Sequence, residues 1–259
     1  MRARKSHFSL IVFSLTLVFF YLPIFLLLIY SFNDGRFARW EGFSFRWYRE
    51  LFFYSPQIWD AFKNSIVIAL SSAALATTLG TLGAIGLYWY QFGWKKYLEI
   101  ATYLPLIIPE IIIGISLLIL FTTLHFNLSL LTIFLAHTTF NIPFALLILL
   151  ARLEEFDYSM IEAARDLGAT ELQTLKKVIL PVLMPGILAA FLISMTLSLD
   201  DFVITFFVTG PGTSTLPLHI YSMIRYGVSP VINALSMILV GFTVVLALST
   251  QRLNKYMLK

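Results

Sequence analysis

SMIEAARDLGATELQTLKKVILP, from Ser159 to Pro181, is the longest non-membranous interval on one side of a chain that is otherwise mostly apolar. It predicts two short helices meeting at a bend. Ser159 and Glu162 have the spacing of a capping box, in which a hydroxyl caps the helix and a carboxylate three residues on reaches back. Gly168 suits the position just past a helix end, because glycine enters the left-handed region without steric cost. Thr170 and Gln173 offer a second capping box. Leu172, Leu175, Val178 and Ile179 then form a one-sided apolar stripe at helical spacing. Pro181 is expected to end that helix.

The rest of the chain sets the surroundings of this stretch. Of 259 residues, 59% are apolar and 12% charged, against about 25% charged in a soluble domain. Most of the chain therefore belongs in lipid or inside a helix bundle. The net charge is only +4, with the basic residues in short loops. Such charge sets membrane topology and is no nucleic-acid footprint. The absence of cysteine excludes disulfides, thiolate metal sites and cysteine nucleophiles.

Working outward, the apolar runs predict an all-α membrane protein. It is one domain over residues 1–259, with six transmembrane helices at about 8–30, 64–88, 98–124, 129–151, 183–208 and 231–250. Residues 152–182 are the loop that carries the opening stretch. The first run follows Arg2, Arg4 and Lys5, carries no charge, and spans a hydrocarbon core of about 30 Å. It is longer than a signal-peptide core and no small-residue cleavage site follows, so it reads as a retained helix, kinked at Pro23. Trp40, Phe43, Phe45, Trp47, Tyr48, Phe52, Phe53 and Tyr54 come next, suiting a lipid–water interface and a short interfacial helix near 45–53. Ala76, Gly80 and Ala84 recur every four residues, as in closely packed membrane helices. Ser214 or Thr215 is placed to cap a short helix with Pro217 in its first turn, ending near Gly227.

Lysine and arginine orient the spans. Arg2, Arg4, Lys5, Lys95, Lys96, Arg152, Arg165, Lys176, Lys177, Arg252, Lys255 and Lys259 fall on one side, and Arg36, Arg39, Arg46, Arg49, Lys63 and Arg225 on the other. That twelve-to-six bias puts both termini and the 152–182 loop in the cytoplasm.

No phosphate-cradling G-x-x-x-x-G-K-[ST] stretch, metal-ligand spacing or G-x-S-x-G motif is present, so an enzyme reading has no constellation behind it. What stands out is acid within apolar runs. A carboxylate at a bilayer centre costs about 2.5–3.5 kcal/mol and usually faces a wet cavity or pathway. Glu110 falls near the middle of the third run, just after Pro109, which opens the backbone ladder there. Asp200 and Asp201 fall in the outer third of the fifth, about 26 Å along a helix from Leu183. Neighbouring helix positions point about 100° apart, so one aspartate is expected on the pathway and the other against a neighbouring helix or loop. The structural alternative for this pair is a bond to backbone, to a partner arginine or to the interface. His137 and Asn141 are expected to hydrogen-bond between helices. Carboxylates in a pathway suit a cationic solute, and a polyammonium ion would also use aromatic faces, for which Trp47, Tyr221 and Tyr226 are candidates.

Glu162-Ala163-Ala164, three residues, Gly168, nine residues and Val178-Ile179-Leu180-Pro181 resemble the EAA motif of ABC importer permeases, with valine for isoleucine at 178. In that family this segment is a coupling helix seated on a cytoplasmic ATPase. The resemblance implies ATPase-coupling roles for Glu162, Ala163, Ala164, Gly168, Leu180 and Pro181. A second resemblance covers nearly the whole chain. Tyr30-Ser31-Phe32-Asn33-Asp34, Trp47-Tyr48, Pro105 to Glu110 and Leu197 to Phe207 are similar to the C-type permease subunits of spermidine/putrescine importers.

This implies a type I ABC importer permease in a bacterial inner membrane, not itself an enzyme. A homologous permease would complete a heterodimer. Two ATPase copies would bind ATP and Mg, and a periplasmic binding protein would deliver a polyamine. This chain would hold no cofactor and touch lipid and solute, not nucleic acid. A substrate pathway would use Asp200, Asp201, Glu110, Trp47 and Tyr221. Iron and sulfate importers share parts of the pattern, so another solute stays open. A stand-alone channel or ion-coupled carrier leaves the EAA spacing to chance, and a membrane enzyme is the remotest alternative.

Overall fold

The computed structural model describes residues 7–36, 39–226 and 229–257. Arg2, Arg4, Lys5, Gly227 and Lys259, with the side chains of Tyr226, Arg252 and Lys255, lie outside the described residues. In chain order the helices are α1 (His7–Ser31), α2 (Arg46–Tyr54), α3 (Pro56–Trp89), α4 (Lys95–Ile107), α5 (Glu110–Thr123), α6 (Leu130–Glu154), α7 (Ser159–Asp166), α8 (Glu171–Thr174), α9 (Leu180–Asp200), α10 (Val203–Val208), α11 (Leu216–Tyr226) and α12 (Val231–Met257). A π-helical turn, Leu175–Ile179, joins α8 to α9. Extended pairing among the described residues is limited to an isolated bridge between Asn33 and Phe43.

By length and apolar composition, four described helical stretches can cross a membrane: 8–31, 56–89, 130–154 and 171–200. The pair α4 and α5 makes a fifth if it is one span. The third predicted run is not a straight helix. It bends by 112° between α4 and α5, where Ile108 is extended and Pro109 sets the N-terminus of α5. The residue before proline is driven out of the helical region, and proline has no N–H for the ladder.

The described residues group into two compact units. One comprises Met1–Trp59 and Ile220–Lys259. Here α12 packs on α1 and α2. Its interior is organised by Asn33, whose side chain donates to the Arg39 carbonyl and accepts from the Glu41 N–H, both at 2.8 Å. Trp47 Nε1 donates to the Asn33 carbonyl at 2.7 Å. Phe32 packs against Phe43, Phe45 and Tyr48 with ring centroids 5.2–5.5 Å apart. The aromatic loop therefore packs largely on itself around α2.

The other unit, Asp60–His219, holds α4 to α10 and most of α3. Its core forms where α3, α6 and α9 meet, through Ala84, Leu87, Ala145, Leu149, Leu153, Ile161, Ile179, Leu183 and Ala190. The small-residue stripe on α3 does this packing. Ala76 and Ala84 are fully buried, and a Cβ added at Gly80 would lie 2.8 Å from the Ala145 Cβ. Only a residue without a side chain admits α6 that closely.

Two expectations at the opening stretch are corrected. Ser159 is not a capping residue: α7 begins there, and Asp157 Oδ1 accepts the Ser159 N–H at 3.0 Å. Pro181 does not end the second helix, which runs on from Glu171 to Asp200. The π-helical turn ends just before it, with the Leu180 N–H bonded to the Leu175 carbonyl five residues back. A regular ladder would drive the Pro181 ring against the carbonyl four residues back, and the widened turn relieves this.

Candidate functional site

The exposed end of the second unit is α7 and the turn after it. Ile161, 4% exposed, anchors α7 to the core, while Glu162, Ala163 and Gly168 are exposed and Ala164 is half-buried. The helix ends in a Schellman arrangement. The Gly168 N–H bonds the Arg165 carbonyl at 2.8 Å, and the Ala169 N–H bonds the Ala164 carbonyl at 3.0 Å. Gly168 has φ +79°, and nothing lies within 4 Å of a Cβ built there. The glycine is required by backbone conformation and not by space. Beyond it, the Thr170 N–H bonds Gln173 Oε1 at 2.9 Å, closing the expected second capping box. Leu167, 89% exposed, stands at the tip. Leu180 is half-buried and Pro181 exposed where α9 begins. Before α7, hydrogen bonds from the Ser159 side chain and N–H hold the Asp157 carboxyl below its ordinary pKa.

The other end of the same helical rod carries the acids. The fifth predicted run breaks where Asp200 and Asp201 stand: α9 stops at Asp200, Asp201 is extended, and α10 restarts at Val203. The break divides the two aspartates more sharply than adjacent positions on one helix would. Asp200 is exposed, whereas Asp201 is 8% exposed.

Asp201 turns inward to cap α10. Its Oδ1 accepts the Ile204 N–H at 3.2 Å, and its Oδ2 accepts the Thr205 N–H and the Thr205 hydroxyl, both at 2.8 Å. His137 Nε2 lies 3.1 Å from the same Oδ2 and 2.9 Å from Thr205 Oγ1. His137 Nδ1 lies 2.7 Å from Ser198 Oγ, and Ser72 donates to Ser198 at 3.2 Å. The contacts thus run from Ser72 through Ser198 and the imidazole to the Asp201 carboxyl and the Thr205 hydroxyl. The pair ties α6 to the α9–α10 break, with α3 joined through Ser72.

Glu110, at the first turn of α5, and Asp200 face a cavity of about 190 Å³ that Asp201, Phe140, Thr196, Leu197, Phe202 and Val203 also line. The carboxylate of Glu110 suits its place, since a helix N-terminus favours negative charge. Asp200 does not suit its own, because it ends a helix where the dipole disfavours an anion. Trp47 and Tyr221 belong to the other unit. Trp47 is 4% exposed with the Arg46 guanidinium 5.0 Å from its ring centroid, and Tyr221 is 40% exposed.

Ser198, Thr205 and Ser72 escape a motif reading, because single hydroxyls in apolar runs carry no spacing signal. His137 and Asp201 mark the place in the sequence. Asn141 departs from expectation: neither side-chain polar atom has a hydrogen-bond partner among the described residues.

The profile of the binding-protein-dependent transport system inner membrane component family matches residues 76–259. This chain belongs to that family. It is 41% identical over 234 residues to the spermidine/putrescine transport system permease protein PotC of Escherichia coli (strain K12), covering 90% of this chain and 88% of that protein. It is 39% identical over 245 residues to the putrescine transport system permease protein PotI of the same strain, covering 92% and 87%. The fold matches a chain in the crystal structure of a bacterial ABC transporter involved in the import of the acidic polysaccharide alginate, with TM-score 0.71. That match covers 97% of this chain and 98% of the other at 17% identity. Together with its apolar helices, family membership makes this a multi-pass membrane protein with an ABC importer permease fold.

Proposed function

We propose that this chain is the permease subunit of an ATP-driven polyamine importer of the bacterial inner membrane. The observation that carries the reading is one continuous helical stretch, Glu171–Asp200. It begins just beyond the exposed α7–Gly168 turn and ends at the acidic cavity, about 45 Å away. A displacement imposed on the turn thus has a stiff path to the solute-facing carboxylates. Similarity to PotC and PotI supports the choice of solute, as does a misplaced helix-terminal anion, which a bound cation would stabilise.

The proposed architecture has six spans over residues 1–259, with both termini and residues 152–182 cytoplasmic. A homologous permease completes the pathway as a heterodimer. Two ATPase copies supply the ATP and Mg chemistry, one of them seated on Glu162, Ala163, Ala164, Gly168, Leu180 and Pro181 of this chain and the other on the homologous permease. A periplasmic binding protein delivers the polyamine. ATP closes the ATPase dimer and opens the path outward, and hydrolysis returns it inward. Glu110 and Asp200 take ammonium groups transiently, with the rings of Phe140 and Phe202 as apolar walls. Asp201 holds the break that aims Asp200. Tyr221, which is exposed, stays a candidate aromatic face of the pathway, whereas Trp47 is buried against its own loop.

The test is uptake of labelled spermidine by native cells with and without this chain, in a background lacking other polyamine importers. Loss of uptake, restored by the returned gene, is the expected result. Unchanged uptake would contradict the solute assignment.

A further inference from the structure

One turn along from the His137 network, the α3–α6–α9 bundle buries four polar atoms without a hydrogen-bond partner among the described residues. They are Thr77 Oγ1, Asn141 Nδ2, Asn141 Oδ1 and Ser194 Oγ. Thr77 is 4% exposed, and Asn141 and Ser194 are 0% exposed. The register places them together. Ser198 joins Ser72 on α3 and His137 on α6, and on the far side of the layer Gly80 meets Ala145. Between these two contacts lie Thr77 on α3 and Asn141 on α6. Ser194, one turn back from Ser198 on the antiparallel α9, falls at the same level. Ala76, Ala145 and Ala190, all fully buried, give the layer small neighbours.

These hydroxyls also differ from those around them. Thr78, Thr81, Thr138 and Thr196 each donate to the carbonyl one turn back at 2.7–2.8 Å, the usual resting place of a helical hydroxyl. Thr77 and Ser194 do not. A buried polar atom left bare is costly, and native interiors resolve this with water when protein partners are out of reach.

We propose that Thr77, Asn141 and Ser194 form an internal water-binding site. Water matches the mixed polarity of the group, since the amide presents both a donor and an acceptor and each hydroxyl can be either. A metal cation would leave the Asn141 N–H₂ facing positive charge. At about three bonds per buried water, four such atoms hold one or two molecules. A bridged layer lets α9 change partners by moving a water instead of burying a bare hydroxyl. The site is independent of which solute is carried.

The test is thermal unfolding of the purified transporter complex carrying Thr77→Val, Asn141→Leu, Ser194→Ala or all three. If water bridges the groups, each single change strands the others. Each then lowers the midpoint by about 2–4 °C, and the triple variant loses less than the sum. If the midpoint rises or holds in the single variants, the atoms were simply unpaired and the proposal fails. A structure of the unaltered complex at a resolution that shows ordered water decides the matter even if a variant does not assemble. Density between the three side chains is expected, and its absence with those side chains well defined overturns the site.

Discussion

The two ends of the Glu171–Asp200 rod are built by opposite means. At the Gly168 end, shape comes from neighbours in sequence: a glycine with φ +79°, a Schellman turn and the Thr170–Gln173 box. At the acidic end, shape comes from distant partners, with His137 reaching Asp201 across 64 positions and Ser72 reaching Ser198 across 126. The first is exposed, and its own backbone fixes its shape. The second is buried and holds one carboxylate still so that its neighbour, Asp200, stays exposed. A local device can be altered at modest cost, whereas a buried network fails when one member is removed.

Substitutions at four positions sharpen this contrast. Asp201→Ala removes the acceptor for His137, Thr205 and the start of α10, and breaking a buried pair in this way costs about 3–5 kcal/mol. A sharply lowered unfolding midpoint or loss of assembled permease is expected; near-native stability would break the contrast. His137→Leu should cost less, about 1–3 kcal/mol, because Asp201 keeps its bonds to Thr205 and Ile204. At the other end, Gly168→Ala meets no atom but forces a left-handed alanine, at about 1–2 kcal/mol. Uptake should fall while the protein still assembles, and Gly168→Asn should be milder; equal loss for both would mean that space, not conformation, requires the glycine. Thr170→Ala is the smallest, about 0.5–1 kcal/mol for a lost cap, visible as faster amide exchange at 171–174.

The same contrast explains what could be read from the sequence. Gly168 and the Thr170–Gln173 box were legible because their physics is contained within a few residues. The apolar runs were legible because lipid imposes length and composition. Capping at Ser159 misled because Asp157, two residues earlier, competes for the same N–H. Pro181 misled because its rule assumes a regular ladder, and a π-helical turn removes that assumption. The 112° bend at Ile108–Pro109 and the break at Asp201 were foreshadowed by a proline and by paired acids, but α4 packs on α6 and α5 on α10, and Asp201 bonds His137 of α6, all contacts that no local window contains. Residue type alone predicts that Asn141 hydrogen-bonds between helices, and type does not say whether a partner stands opposite.

The most direct measurement is transport by the reconstituted complex carrying Glu110→Gln and Asp200→Asn together, with ATP hydrolysis followed in the same vesicles. Both side chains are exposed, so each change should alter stability by no more than about 0.5 kcal/mol. The account predicts that ATP hydrolysis stimulated by the binding protein persists while spermidine transport falls at least about tenfold, the worth of ~1.4 kcal/mol at the barrier. Transport at the unaltered rate, with hydrolysis intact, would contradict it.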